Sequence, residues 1–172
     1  SVVWTSSPWA ETGDTGGATG GSIQVLTDTG IRPAYSLSTS GDGPYIARTA
    51  NLAGYDSATV SLVYRRVNLN IDNDLVYIEV SPDGSTNWVG VGPSSGAIGG
   101  TGNDTTYQSW GPNSIPSSHI GANTTIRIRT ENLEEVIWID DVLITATSTT
   151  TANSVEDRSE ERRVGKECRS RW

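Results

Sequence analysis

The stretch Ala58-Thr59-Val60-Ser61-Leu62-Val63-Tyr64-Arg65 decides the fold. In an extended chain successive side chains point to opposite faces, so Ala58, Val60, Leu62 and Tyr64 share one side and Thr59, Ser61, Val63 and Arg65 the other. Such alternation marks a strand with one face in a core and the other mostly in water. The same period recurs on both sides of it. Residues 22–26, 31–38 and 45–49 read as strands, and Pro33, which has no N–H to donate, predicts an edge position for the second. Residues 75–80 run through Ser81-Pro82-Asp83-Gly84-Ser85 into 86–91, and Asp-Gly supplies the positive φ of a tight hairpin, which predicts antiparallel neighbours. Residues 124–130 alternate strictly with Ile126 and Ile128 inward, and 136–145 form the closing strand. The Gly-, Ser-, Pro- and Asn-rich stretch 92–116 predicts a long loop with one short strand at most. Eight or nine strands without a credible helix define an all-β chain, either a sandwich or a barrel.

Composition narrows the function. The chain has 172 residues, with 12 Lys+Arg against 20 Asp+Glu, one His, one Cys and no Met or Phe. Half of the basic residues and the only cysteine, Cys168, fall in residues 158–172, which leaves six arginines against seventeen acids in residues 1–157. That surface repels phosphate backbones and anionic membranes, so nucleic acid and lipid surfaces are disfavoured partners, while cations and neutral ligands suit it. No apolar run approaches the ~20 residues needed to span a bilayer, so no membrane insertion is expected. Without cysteine, disulfides and thiolate zinc sites are excluded from this part of the chain. Ser1 reads as a cut end, with any targeting signal lost upstream.

Residues 158–172, RSEERRVGKECRSRW, break abruptly with what precedes them: nine of fifteen side chains are charged. The string resembles the conceptual translation of a sequencing-library adapter over its full length, which implies an environmental or genomic read and a natural chain continuing past Asp157. It is set aside from fold reasoning, as fusion scars are. Residues 1–146 are then one module, and the Thr-rich residues 147–157 a linker to other domains of the same parent chain.

Four motifs carry a family resemblance across most of residues 4–145: Trp9-Ala10-Glu11-Thr12-Gly13-Asp14; Arg48-Thr49-Ala50-Asn51-Leu52-Ala53-Gly54 leading into Ser57-Ala58-Thr59-Val60-Ser61-Leu62; the hairpin from Glu79 to Trp88; and Ile137-Trp138-Ile139-Asp140-Asp141-Val142. In this order they resemble the MAM-like and carbohydrate-binding-module-like jelly-roll domains of large bacterial extracellular proteins. The resemblance implies two antiparallel sheets, an extracellular or cell-surface location and often a structural Ca²⁺. It implies no activity, because one sandwich serves adhesins, glycan binders and spacers alike.

The acidic pair Asp140-Asp141 interrupts an apolar strand, and an uncompensated carboxylate there is costly. A hard cation with oxygen ligands removes that cost. If the first and last strands lie side by side, Glu11 and Asp14 join Asp140 and Asp141 as a Ca²⁺ site, the grouping that the resemblance also supports. The alternative is ordinary rim carboxylates paired with Arg127, Arg129 or water. Asp72-Asn73-Asp74 lacks EF-hand spacing and reads as a solvated loop. For a ligand such as a glycan or cell-surface polymer, Trp88, Tyr107 and Trp110 lie near loops and supply stacking faces, whereas Trp4, Trp9 and Trp138 sit in strand contexts as core. Catalysis has thin support: His119 is the single histidine, and residues 1–157 contain neither Cys nor Lys nor a nucleophile elbow. The expected function is a non-catalytic binding or adhesion module, the alternatives being a spacer or an accessory domain of a secreted hydrolase.

Overall fold

The computed structural model describes residues 3–5, 8–29 and 31–149; the 158–172 tail and all but the start of the Thr-rich linker lie outside them. Among the described residues there are twelve strands: β1 (Val3–Trp4), β2 (Ala10–Thr12), β3 (Ile23–Asp28), β4 (Arg32–Gly41), β5 (Tyr45–Asn51), β6 (Ser57–Val67), β7 (Leu75–Ser81), β8 (Val89–Gly90), β9 (Ala97–Gly99), β10 (Gln108–Ser114), β11 (Thr124–Glu131) and β12 (Leu133–Thr147). All pair antiparallel. One sheet has seven strands in the order β1-β5-β11-β7-β8, with β2 also on β5 and β9 also on β7; the other has five in the order β10-β6-β12-β4-β3.

The core is the apolar set that alternation places between the sheets. Val60, Leu62, Ile137, Ile139 and Ile144 come from the five-stranded sheet, and Ile46, Val76, Ile78, Val80, Ile126 and Ile128 from the seven-stranded one. All are less than a tenth exposed. At roughly 1.5–3 kcal/mol for each fully buried aliphatic side chain, this seam is the main force holding the layers face to face.

Several sequence expectations are corrected in detail. β1, β2, β8 and β9 are two or three residues long, too short for an alternation to register. Stretch 92–116 holds two strands, β9 and β10, with Trp110 opposite Leu62. The β7–β8 connection is wider than a two-residue turn: Asp83 Oδ1 accepts the N–H groups of Ser85 and Thr86, and Ser81 Oγ accepts that of Gly84. Gly84 supplies the anticipated positive φ, +76°, and a Cβ there would meet Thr125 Oγ1 at 2.8 Å. β4 is internal rather than an edge, although its pairing with β12 begins only at Leu37, so the Pro33 end has β3 alone as neighbour. The first and last strands do not lie side by side: β1 and β2 pair with β5, while β12 lies in the other sheet between β6 and β4. Thr147 still belongs to β12, and Thr149 donates to Asp56 Oδ2, so the strand outlasts the point where hydrophobic periodicity fades.

Candidate functional site

The outer face of the seven-stranded sheet carries a cluster of aromatic and charged side chains. Its axis is β11, where strict alternation sends Ile126 and Ile128 inward and therefore Arg127 and Arg129 outward. Arg127 stands opposite Ala47 of β5 and Glu79 of β7; Arg129 stands opposite Tyr45 and Tyr77. Glu79 Oε2 accepts from Arg127 Nε at 2.7 Å and from Arg129 Nε at 3.1 Å, and Arg129 Nη1 donates to Glu131 Oε2 at 2.7 Å. The guanidiniums also lie over rings. Arg127 is 4.1 Å from the Trp88 ring centre and 5.4 Å from that of Tyr45; Arg129 is 4.7 Å from that of Tyr77.

Glu79 is only 9% exposed. Burial pushes its carboxyl up, but the hydrogen bonds and charges of Arg127 and Arg129 outweigh burial and hold it below the ordinary glutamate value. For Arg129 burial works against the charge, and Glu131 and Glu79 outweigh it to raise the guanidinium. Each planar guanidinium is thus fixed by carboxylate hydrogen bonds in its plane and by a ring above it. Tyr45, Tyr77 and Trp88 are half-buried, so part of each ring reaches solvent. Among the described residues Arg127 commits only Nε to a hydrogen bond, which leaves its two terminal amino groups for a ligand.

Of the three aromatic candidates from the sequence, Trp88 alone lies on this face. Trp110 is 8% exposed and belongs to the core cluster, so its burial removes it as a stacking platform. Tyr107 precedes β10 near the edge of the other sheet; burial raises its phenol, with Ser36, Asp28 and Arg65 as its neighbours. Beside it Arg65 clamps Asp28 through Nε–Oδ2 at 2.7 Å and Nη2–Oδ1 at 2.5 Å. Tyr45, Tyr77, Arg127, Arg129 and Glu79 were missed. Their signal was present, since two arginines at alternate positions of a strand must share the face away from Ile126 and Ile128.

The four acids expected to hold Ca²⁺ are divided between the sheets. Glu11, Asp140 and Asp141 line one cleft of about 420 Å³, shared with Trp9, Ile23 and Ile128. Asp14 spends its carboxylate on the backbone N–H groups of Thr15, Ser22 and Ile23. Asp140 accepts from Ser36 Oγ and from the N–H of Asp141, which occupies the left-handed region (φ +52°) where β12 bulges against β6. Among the described residues no three His, Cys, Asp or Glu side chains are placed to hold an ion together. The alternative pairing with Arg127 or Arg129 is also not found, because both arginines go to Glu79.

His119 is 8% exposed. Its Nε2 lies 2.9 Å from the carbonyl of Asn87, which can only accept, so Nε2 carries the proton; Nδ1 faces Ser118 Oγ at 3.0 Å. The ring therefore fastens the β7–β8 loop. Asp74 is not the solvated loop residue expected, since it is fully buried. Among the described residues no helix is long and apolar enough to cross a membrane.

No protein-family model matches the chain, and no curated protein sequence matches it. Solved structures do share its architecture. TmCBM61, determined in complex with β-1,4-galactotriose, superposes with a TM-score of 0.55 at 15% identity over 81% of this chain and 89% of its own. The K2 cleaved adhesin domain of Lys-gingipain gives 0.51 at 16% identity over 80% and 89%. The CBM22-1 xylan-binding domain of Paenibacillus barcinonensis Xyn10C gives 0.51 at 15% identity over 84% and 88%. The chain is thus an all-β, two-sheet antiparallel sandwich of the jelly-roll class found in carbohydrate-binding modules.

Proposed function

We propose that this chain is a non-catalytic glycan-binding module and that the outer face of the seven-stranded sheet is its binding surface. The observation that carries the reading is the ordered array of Trp88, Tyr45 and Tyr77 around Arg127 and Arg129. Sugar rings present apolar C–H faces and equatorial hydroxyls. Half-exposed aromatic rings receive the first, and fixed guanidinium and carboxylate groups receive the second. Complexes of TmCBM61 with β-1,4-galactotriose and the xylan-binding assignment of CBM22-1 support a glycan as the ligand class. An extracellular or cell-surface setting, as one domain of a larger protein, accords with the same reading.

Glu79, the most buried acid of this face, is held ionised between two arginines and has no proton to donate to a leaving group. Affinity electrophoresis of the full chain against galactan, xylan and mannan tests the proposal. Retardation by at least one polymer is expected, reduced about 3–10-fold by Trp88→Ala or Tyr77→Ala, given ~0.5–1.5 kcal/mol per aromatic contact. Trp138→Ala, in the other sheet, should leave it unchanged. Retardation lost in Trp138→Ala and kept in Trp88→Ala would move the site to the opposite face, and no retardation by any polymer would favour a spacer role.

A further inference from the structure

On the proposed binding face the two arginines are not equally satisfied. Arg129 pairs with two carboxylates, Glu79 at 3.1 Å and Glu131 at 2.7 Å, whereas Arg127 has only a share in Glu79, through Nε at 2.7 Å. Arg127 Nη1 and Nη2 donate to no protein atom among the described residues, and neither is a buried unpartnered group, so both reach solvent. The side chain as a whole is only 16% exposed. Its guanidinium lies 4.1 Å from the Trp88 ring centre and 5.4 Å from that of Tyr45. The end of the fork is therefore held in place, with its N–H groups turned outward beside two half-buried rings.

Two adjacent amino groups of a guanidinium offer donors alone. A sugar hydroxyl takes one of them; a carboxylate takes two in parallel, one oxygen to each nitrogen, and brings the negative charge that Arg127 lacks. Only the planar arginine fork matches that geometry, since lysine in the same place supplies charge without it. We propose that the face selects acidic glycans, with Arg127 as the specificity-determining residue that receives the carboxylate of a uronic acid residue stacked on the adjoining rings. The proposal rests on the sheet face being the glycan-binding surface and adds the charge class of the ligand. Residues 1–157 carry six arginines against seventeen acids, so the chain repels polyanions at long range. A preference for a charged oligosaccharide accordingly reports the local fork and not bulk attraction.

The test is calorimetric titration of the full chain, in chelator and ~0.15 M salt, with oligosaccharides of polygalacturonate and of alginate, each beside its carboxyl-reduced form, which keeps the linkage and loses the charge. At least one charged oligosaccharide should bind about tenfold or more tighter than its reduced form, and Arg127→Lys should abolish most of that difference. Equal or weaker binding of the charged forms would overturn the proposal, yet leave the face a glycan site if Trp88→Ala still weakens the reduced form. A preference that survives Arg127→Lys would remove Arg127 from the role. No binding of any charged, reduced or neutral oligosaccharide, those of galactan, xylan and mannan included, would sink the glycan reading itself and this proposal with it. The unmodified chain decides between charged and reduced forms even if Arg127→Lys does not fold.

Discussion

Glu79→Gln removes one charge from the centre of the proposed binding face and changes no shape. In the folded protein Glu79 joins two guanidiniums at 2.7 and 3.1 Å, and the side chains of Glu79, Arg127 and Arg129 are 12, 16 and 23% exposed. Exposed pairs contribute ~0–1 kcal/mol, and breaking a buried pair costs ~3–5 kcal/mol. These side chains stand between the two cases, nearer the buried one, so a loss of about 2 kcal/mol is expected. At roughly 3 °C per kcal/mol for a domain of this size, the melting temperature should fall about 6 °C at pH 7. The deficit has a defined pH dependence. The Glu79 carboxyl is held below its ordinary value in the folded state. Its contribution is therefore present above the unfolded pKa of ~4.3 and is lost as pH falls through the folded one. Differential scanning calorimetry of both proteins from pH 7 to pH 3 should show the gap closing under acid. A gap below 1 °C at neutral pH, or one that stays constant on acidification, would refute the view that Glu79 fixes the two arginines.

Trp110→Ala should cost about 3–5 kcal/mol because the ring is a core residue, whereas Trp88→Ala should move the melting temperature by only a few degrees; urea unfolding separates them. Asp83 is held at about 2 by the backbone N–H groups of Ser85 and Thr86. Its contribution is present above the unfolded pKa of ~3.9 and lost as pH falls through about 2, so amide exchange at Ser85 and Thr86 should accelerate there while Ile126 and Ile128 stay protected. Asp28→Ala leaves the Arg65 guanidinium, 9% exposed, without its carboxylate, and about 3 kcal/mol of stability should be lost in chemical denaturation.

Long alternating strands were legible in the sequence because their pattern is their mechanism. Val60 and Leu62, like Ile126 and Ile128, are buried because period two sends them to one face. The pairing order was not legible. Alternation fixes which face of a strand is buried and says nothing of its neighbours, so the side-by-side first and last strands that would bring Glu11 and Asp14 to Asp140 and Asp141 could not be checked, and β2 and β12 lie in different sheets. Among the aromatics Trp88 and Trp110 look alike in sequence, each preceded by a polar residue, Asn87 or Ser109; what separates them is register. Trp110 sits opposite the inward Leu62, whereas Trp88 follows a loop fastened by Asp83 and His119 and lies under Arg127. The hydrogen bond from the Glu134 N–H to Asp74 joins residues 60 apart, and no local spacing announces it.

The most direct test is a ¹H–¹⁵N correlation titration of the labelled chain with an oligosaccharide of whichever polymer retards it. Shift changes concentrated on the Trp88 indole and the amides of residues 45–49, 77–81 and 125–131 are predicted. Changes confined to residues 61–65 and 136–140 of the opposite sheet would contradict the assignment of the binding face.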